Sequence, residues 1–209
     1  MFEFLHPVLS DRAIRRRIEK GQLFETPLRE NQFQPNSVDL TLATSWQSII
    51  PNDEINGEPC INPEKPVKYL NGDMKPYRIL GSDTYLFGGK PVYRLAPGEF
   101  ILFASQEVLT IPNGIVAFVQ GRSSIARIGV QTEQAGLIDA GFNGTITFEV
   151  YNETPHPIFL IKGMRVAQVY FYKAMSSEQL YGSGVLKSKY SGQIRATGSR
   201  IHLDPEMHQ

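Results

Sequence analysis

Residues 144–151 read Gly-Thr-Ile-Thr-Phe-Glu-Val-Tyr, and the period of this stretch decides the fold. Successive side chains of a strand point to opposite faces. Ile146, Phe148 and Val150 therefore share one face, and Thr145, Thr147, Glu149 and Tyr151 the other. The neighbouring segments carry related signatures. Upstream, Ser37-Val38-Asp39-Leu40-Thr41-Leu42 alternates polar with apolar and predicts a half-buried strand. Leu95-Ala96-Pro97-Gly98-Glu99 predicts a turn feeding an apolar strand from Phe100 to Ala104, and Ile115 to Gln120 predicts another, ending at Gly121. Downstream, Pro157 to Ile161, a Lys162-Gly163 turn and Arg165 to Tyr172 predict a hairpin. With 18 Gly and 14 Pro punctuating the chain at short intervals, the pattern predicts an all-β fold.

One helix is expected near the start. Ser10 suits its N-cap, Asp11 its first turn, Ile14 and Ile18 one face, and Gly21 its C-cap. Arg15-Arg16-Arg17 on that helix reads as a solvated face, or as a contact for an acidic neighbour subunit or a nucleotide. Residues 51–78, rich in Pro, Asn and Gly, read as a long excursion with short strands. Residues 186–209 are polar and Gly/Ser-rich, and read as irregular or ligand-ordered.

The composition excludes several classes of function. A chain of 209 residues, at about 100–200 residues per domain, predicts one domain over residues 1–209. Lys+Arg and Asp+Glu are 21 each, so bulk charge gives no reason to expect a nucleic-acid partner, while a local basic pocket remains open. Cys60 is the single cysteine, which excludes an internal disulfide and points to a reducing, cytoplasmic setting. There is no CxxC, no HExxH and no pair of His at helical spacing, so neither zinc nor another caged metal is expected. The N-terminal residues do not read as a signal peptide, and no run of ~18 apolar residues predicts a membrane span.

Four segments carry chemistry. Gly121-Arg122-Ser123-Ser124-Ile125-Ala126-Arg127 follows an apolar strand and offers two hydroxyls, two guanidinium groups and backbone N–H groups. It reads as an anion site at a short helix start, or as a helix start with surface arginines. Ala135 to Gly144 delivers Asp139 into a glycine-bounded turn, as a turn former or a functional carboxylate. Glu149 sits mid-strand on the face of Thr147, which is either solvent or a pocket. A pocket would raise its pKa and suit it to move protons. The tail, with Tyr181, Lys187, Lys189, Gln193 and Arg195, suits a lid over phosphates or a plain soluble tail.

Together these segments resemble the deoxycytidine triphosphate (dCTP) deaminase family, within the superfamily that also holds trimeric deoxyuridine triphosphatases (dUTPases). The matching pieces are GRSSIARIG (121–129), AGLIDAGFNGTITFEVYN (135–152), GMRVAQVYF (163–171), SKYSGQ (188–193) and GSR (198–200), with LSDRAIRRRIEKGQL (9–23) and QPNSVDLTLA (34–43) at the start. The resemblance covers nearly the whole chain, least over residues 45–90. It implies a distorted, jelly-roll-like β-barrel of the dUTPase-like type with a short N-terminal helix. It implies a homotrimer with active sites between subunits, and a lid formed by residues 181–209. The implied reaction is dCTP plus water to dUTP plus ammonia, with Mg²⁺ carried by the triphosphate and no zinc at the base.

The resemblance also implies roles. Glu149 would be the proton shuttle, and Ser123 and Arg127 would hold the attacking water. Arg122 and Ser124 would bind phosphate. Asp139 would bond the deoxyribose 3′-OH, and Phe142 would lie under the sugar. Backbone groups of Thr147 and Phe148 would read the base edge. Gln168, Tyr181, Lys189 and Gln193 would complete the triphosphate contacts. The stretch Ile128 to Gln134 departs from the common family pattern, which is one residue longer and contains His. Such shorter loops also occur in bifunctional relatives that carry dCTP to dUMP and pyrophosphate, and Asp139 sits in an Ile-Asp context like the water-activating Asp of dUTPases. Deamination alone is the leading reading. The bifunctional reaction and a dUTPase-only reaction are the alternatives.

Overall fold

The computed structural model describes residues 8–133, 136–184 and 188–208. The expectations at residues 1–7, at Gln134 and Ala135, and at Leu186 and Lys187 lie outside these. In chain order, the strands that frame the site are β1 (Ser37–Ile50), β2 (Lys68–Asp73), β3 (Pro91–Leu95), β4 (Phe100–Thr110) and β5 (Ile115–Gly121). They continue as β6 (Val130–Glu133), β7 (Leu137–Ile138), β8 (Asn143–Asn152), β9 (Ile158–Ile161) and β10 (Arg165–Lys173). The helices are α1 (Asp11–Ile18) and the single turn α2 (Ser123–Ala126).

Residues 144–151 form the body of β8. It lies in an antiparallel sheet of order β6-β8-β4-β1-β10-β5-β7, to which β2 adds along β1. β1 changes partners along its length. Val38 to Thr41 face β10, and the later residues face β4 and β2. Register shifts at Leu42/Trp46, Thr145/Thr147 and Arg165/Ala167 curl the sheet. Inside the curl lies the core, with Val38, Leu40, Ile101, Phe103, Phe148, Val150 and Phe171 buried. Aromatic edges dock the small second sheet of β3 and β9. Tyr93 of β3 packs its ring 5.4 Å from Trp46 and 5.3 Å from Phe103.

The mostly-β expectation holds, and α1 has its expected cap, with the Ser10 hydroxyl accepting from the Ala13 N–H at 3.4 Å. Ile14 is buried; the C-cap is Glu19, not the expected Gly21, which takes φ +71° two residues later where the chain turns away. Of the arginine triplet, Arg15 pairs with Glu30 and stacks 3.7 Å from the Phe33 ring centre, and Arg17 donates to Gln22 at 2.9 Å.

Two expectations change. Ser37 to Leu42 is buried on both faces, not one. Its polar residues are inside because distant parts of the fold supply their partners. The predicted hairpin of residues 157–172 does not form: β9 pairs with β3 and β10 pairs with β1 and β5, in different sheets. The Lys162-Gly163 turn serves to change sheets. The strand from Phe100 also runs on past Ala104 to Thr110.

Phe103 is fully buried and contacts the bridge between the two sheets. Phe103→Ala should cost about 3–5 kcal/mol of stability, read by chemical denaturation. A cost under about 1 kcal/mol would contradict this packing.

Candidate active site

Alternation along β8 gives Phe148 and Val150 to the core and leaves Thr147 and Glu149 half-buried on the other face. At the bulge between Thr145 and Thr147, Thr145 is buried, and Ile146 is buried in the core while also lining the cavity. Across the sheet Glu149 pairs with Leu102, and Leu102 with Gln47. Thr147, Glu149, Leu102, Phe100, Ile49 and Tyr69 thus form one wall of a cavity of about 480 Å³.

A second wall comes from β7 and the turn after it. Leu137 and Ile138 pair with Phe118 and Ala117, which carries Asp139 and Phe142 to the cavity. The Phe142 N–H donates to the Asp139 carbonyl at 3.2 Å, closing the turn. Gly141 is required here. Its φ is +96°, and a Cβ would lie 2.7 Å from Leu180 Cβ and 2.8 Å from the Tyr181 nitrogen. Only without a side chain can the Tyr181 N–H reach the Ala140 carbonyl at 2.8 Å. Tyr181 then packs its ring 5.7 Å from Phe142. Burial pushes the Tyr181 phenol up, offset in part by the bond it accepts from the Tyr190 N–H at 3.3 Å.

The tail crosses this cavity. Gln193 bonds both ways with Thr145, its carbonyl accepting at 2.8 Å and its Nε2 donating at 2.6 Å. The Ala196 N–H donates to Ser45 Oγ at 3.2 Å, the Thr197 N–H to Thr147 Oγ1 at 3.2 Å, and the Ser199 N–H to the Tyr69 hydroxyl at 2.8 Å. Arg195 pairs with Asp73 at 2.9 Å, which holds that carboxyl below its ordinary range. Lys189 meets both oxygens of Asp204, at 2.6 and 2.8 Å, and this bond raises its pKa. The excursion expected from residues 51–78 therefore contributes to the site, because β2 within it docks the tail.

Six residues singled out in the sequence line this one cavity: Asp139, Phe142, Thr147, Glu149, Tyr181 and Gln193. The Phe148 side chain is turned into the core. Arg122, Ser123, Ser124 and Arg127 do not line it. Ser123 and Ser124 of α2 and Arg127 at its C-cap are exposed, and Ile125 anchors the helix to the core. Gln168 lies near Arg122, facing Gln120 on β5 and Asp39 on β1, and donates to the Tyr170 hydroxyl. Lys189 is occupied by Asp204. Sequence reasoning missed Ile49, Tyr69, Tyr190 and Thr197 as cavity residues. Tyr69 had no motif to betray it. Tyr190 and Gly198 sat within the family motifs, without a role.

The fold and the cavity define a class, and comparison with known proteins gives it a name. A dCTP deaminase-like family model matches residues 8–174, and the chain belongs to that family. It is 36% identical over 200 residues to a protein of Aquifex aeolicus named dCTP deaminase, dUMP-forming, covering 96% of this chain and 98% of that one. A protein of the same name from Methanothermobacter thermautotrophicus is 38% identical over 204 residues, with 96% of each chain covered. Among solved structures, 2′-deoxycytidine 5′-triphosphate deaminase from Agrobacterium tumefaciens matches with a TM-score of 0.58 at 22% identity. That match covers 80% of this chain and 48% of the other, so the present chain spans about half of it, and it shows likeness of fold.

A Cβ on Gly198 would lie 2.1 Å from the Tyr69 ring. Gly198→Val should therefore lift the tail off β2. Limited proteolysis should cut between residues 181 and 208 at least ten times faster, with the melting temperature within about 3 °C of the parent. Unchanged cleavage would mean that the tail is held elsewhere.

Proposed function

We propose that this protein is an enzyme converting dCTP and two waters to dUMP, ammonia and pyrophosphate. One observation carries the reading: Glu149 of β8 and Asp139 of the turn after β7 line the same cavity. One carboxylate suits deamination at the base, and the other suits the sugar and the phosphoanhydride. The names of the relatives, dUMP-forming, support this two-step reaction over deamination alone. The deamination-only reading becomes the second choice. A dUTPase alone has no use for Glu149.

In the first step Glu149 takes a proton from water attacking C4 of cytosine. It passes that proton to N3, then takes the second water proton from the C4 hydroxyl of the tetrahedral intermediate and hands it to the amine. The amine leaves as ammonia while C4=O forms, so Glu149 ends as it began. Ser123 and Arg127 hold that water and steady the charge beside Glu149. Neither lines the cavity of its own chain, and in this reading they act on a neighbour's cavity in a homotrimer with shared sites. Thr147 and Phe148 read the base edge through their backbones. For Phe148 the core position of its side chain leaves only the backbone to do so. Asp139 binds the 3′-OH, and Phe142, 7% exposed beneath Tyr181, forms the floor where a ribose 2′-OH would crowd.

In the second step Asp139 activates a water for attack on the α-phosphorus, and pyrophosphate leaves. Arg122, Ser124, Gln168, Tyr181, Lys189 and Gln193 bind the triphosphate, with residues 181–209 as the lid. Mg²⁺ arrives as part of the nucleotide substrate. The base chemistry uses no zinc. The enzyme works in the cytoplasm on free nucleotides. Among the described residues no helix is long and apolar enough to cross a membrane.

Ammonia and pyrophosphate should be followed together, with dCTP and separately with dUTP, each with Mg²⁺. Both products from dCTP in equal amounts support the two-step reaction. Ammonia without pyrophosphate would leave a deaminase alone, and pyrophosphate from dUTP only would remove Glu149 from its role. Glu149→Gln should lower ammonia release at least a hundredfold, the lower end of the usual general acid–base contribution, with dCTP binding within about threefold. Asp139→Asn should abolish pyrophosphate release and weaken nucleotide binding. Pyrophosphate release at the parent rate would exclude Asp139 as the water activator.

A further inference from the structure

Outside the cavity, one cluster of charge holds two residues that these roles leave out, Asp39 and Arg165. Asp39 of β1 is 1% exposed and lies between two guanidinium groups. Its Oδ1 is 3.3 Å from Arg122 Nε, and its Oδ2 is 3.0 Å from Arg165 Nη1 and 3.3 Å from Gln34 Nε2. Arg165 Nη1 also donates to the Asn31 carbonyl at 2.7 Å. The arginine side chains reach the surface, 24% exposed for Arg122 and 34% for Arg165. Gln168 faces Asp39 directly across the β10–β1 pair.

One carboxylate balances one guanidinium. Two guanidiniums around it leave a surplus positive charge, and they repel one another. A fold that only had to satisfy Asp39 would need one arginine, or an apolar residue in place of Asp39. Two planar, always-charged groups, pinned from behind and open to solvent in front, match an anion with several oxygens. Pinning matters because an unrestrained arginine loses side-chain freedom on binding.

We propose that Asp39 is a positioning residue that holds Arg122 and Arg165 side by side as a paired cradle for the polyphosphate of the substrate. Arg165 is thereby a second phosphate ligand, and Gln168 completes the same patch. The proposal rests on the reading of Arg122 as a phosphate ligand, but not on which reaction follows binding.

The test uses the full-length protein and two probes. Inorganic triphosphate binding is measured by calorimetry, and kcat and KM are measured with dCTP. Asp39→Asn keeps the shape and removes the charge. Arg165→Gln removes the second cation and leaves the Asp39 carboxylate with Arg122 and Gln34 as its partners. Both should weaken triphosphate binding at least tenfold and raise KM for dCTP by a similar factor, with kcat within about threefold. Inhibition by deoxycytidine, which has no phosphate, should stay within twofold. Arg165→Lys should recover part of the loss. If Asp39→Asn fails to fold by circular dichroism, the two Arg165 variants decide. Unchanged triphosphate affinity in Arg165→Gln overturns the proposal. So does a fall in kcat at constant KM, or an equal loss of deoxycytidine inhibition. A parent protein that binds triphosphate through Asp39 but turns over no dCTP would sink the proposed reaction and leave the cradle standing.

Discussion

A strand buried on both faces must find a partner for every polar group it carries, and β1 is such a strand. Thr41 is fully buried, and it is satisfied by Glu107 of β4, itself 3% exposed. One Glu107 oxygen accepts from the Thr41 hydroxyl at 2.6 Å and from Gln32 Nε2 at 2.8 Å, and the other accepts from the Thr41 N–H at 2.8 Å. Gln32 Nε2 also donates to the Asp39 carbonyl at 2.9 Å. Leaving such a group unpaired in the interior costs about 1–3 kcal/mol, and more for a charge. A slip of one residue would break this set at once. The network therefore sets how β1 sits against β4, and through β4 where Glu149 falls on β8.

From that register the site follows in two parts. The cavity belongs to β8, β4, β1 and the turn after β7. The arginine patch belongs to the junction of β5 with α2 and to the start of β10. Among the described residues, Arg122 and Arg165 do not line the cavity of Glu149, although β1 runs through the foundations of both parts. Assembly with a neighbour is what the proposed chemistry asks of this arrangement. The excursion after β1 adds a third element: it places Tyr69 and Asp73 where the tail needs an acceptor and a counter-charge.

Local periodicity made much of this legible. The β8 alternation and the capped helix α1 could be read because they depend on neighbours in sequence. The residues of the cavity could be named because their motifs match a family. Partnerships between distant residues were another matter. Nothing in Ser37 to Leu42 announces that Asp39 meets two arginines more than eighty residues away, so the strand read as half-buried. The hairpin at 157–172 failed for the same reason. A short turn between two apolar runs usually joins partners, and here β9 finds β3 instead. Tyr69 is the clearest case. Its role is created by a tail segment 130 residues later in the chain, and no local pattern encodes that contact.

The pair of Lys189 with Asp204 has a consequence for how the tail responds to a ligand. The lysine is already paired with a carboxylate of its own segment. In the proposed reaction an incoming triphosphate exchanges one anion for another, and the count of ion pairs at that lysine stays the same. The net gain at this position is then small for any single negative charge. It grows with the density of charge on the incoming group, so the exchange acts as a filter favouring three phosphates over one. In that reaction dUMP, with a single phosphate, would be the ligand least able to hold Asp204 away, and the return of Asp204 to Lys189 would favour its departure.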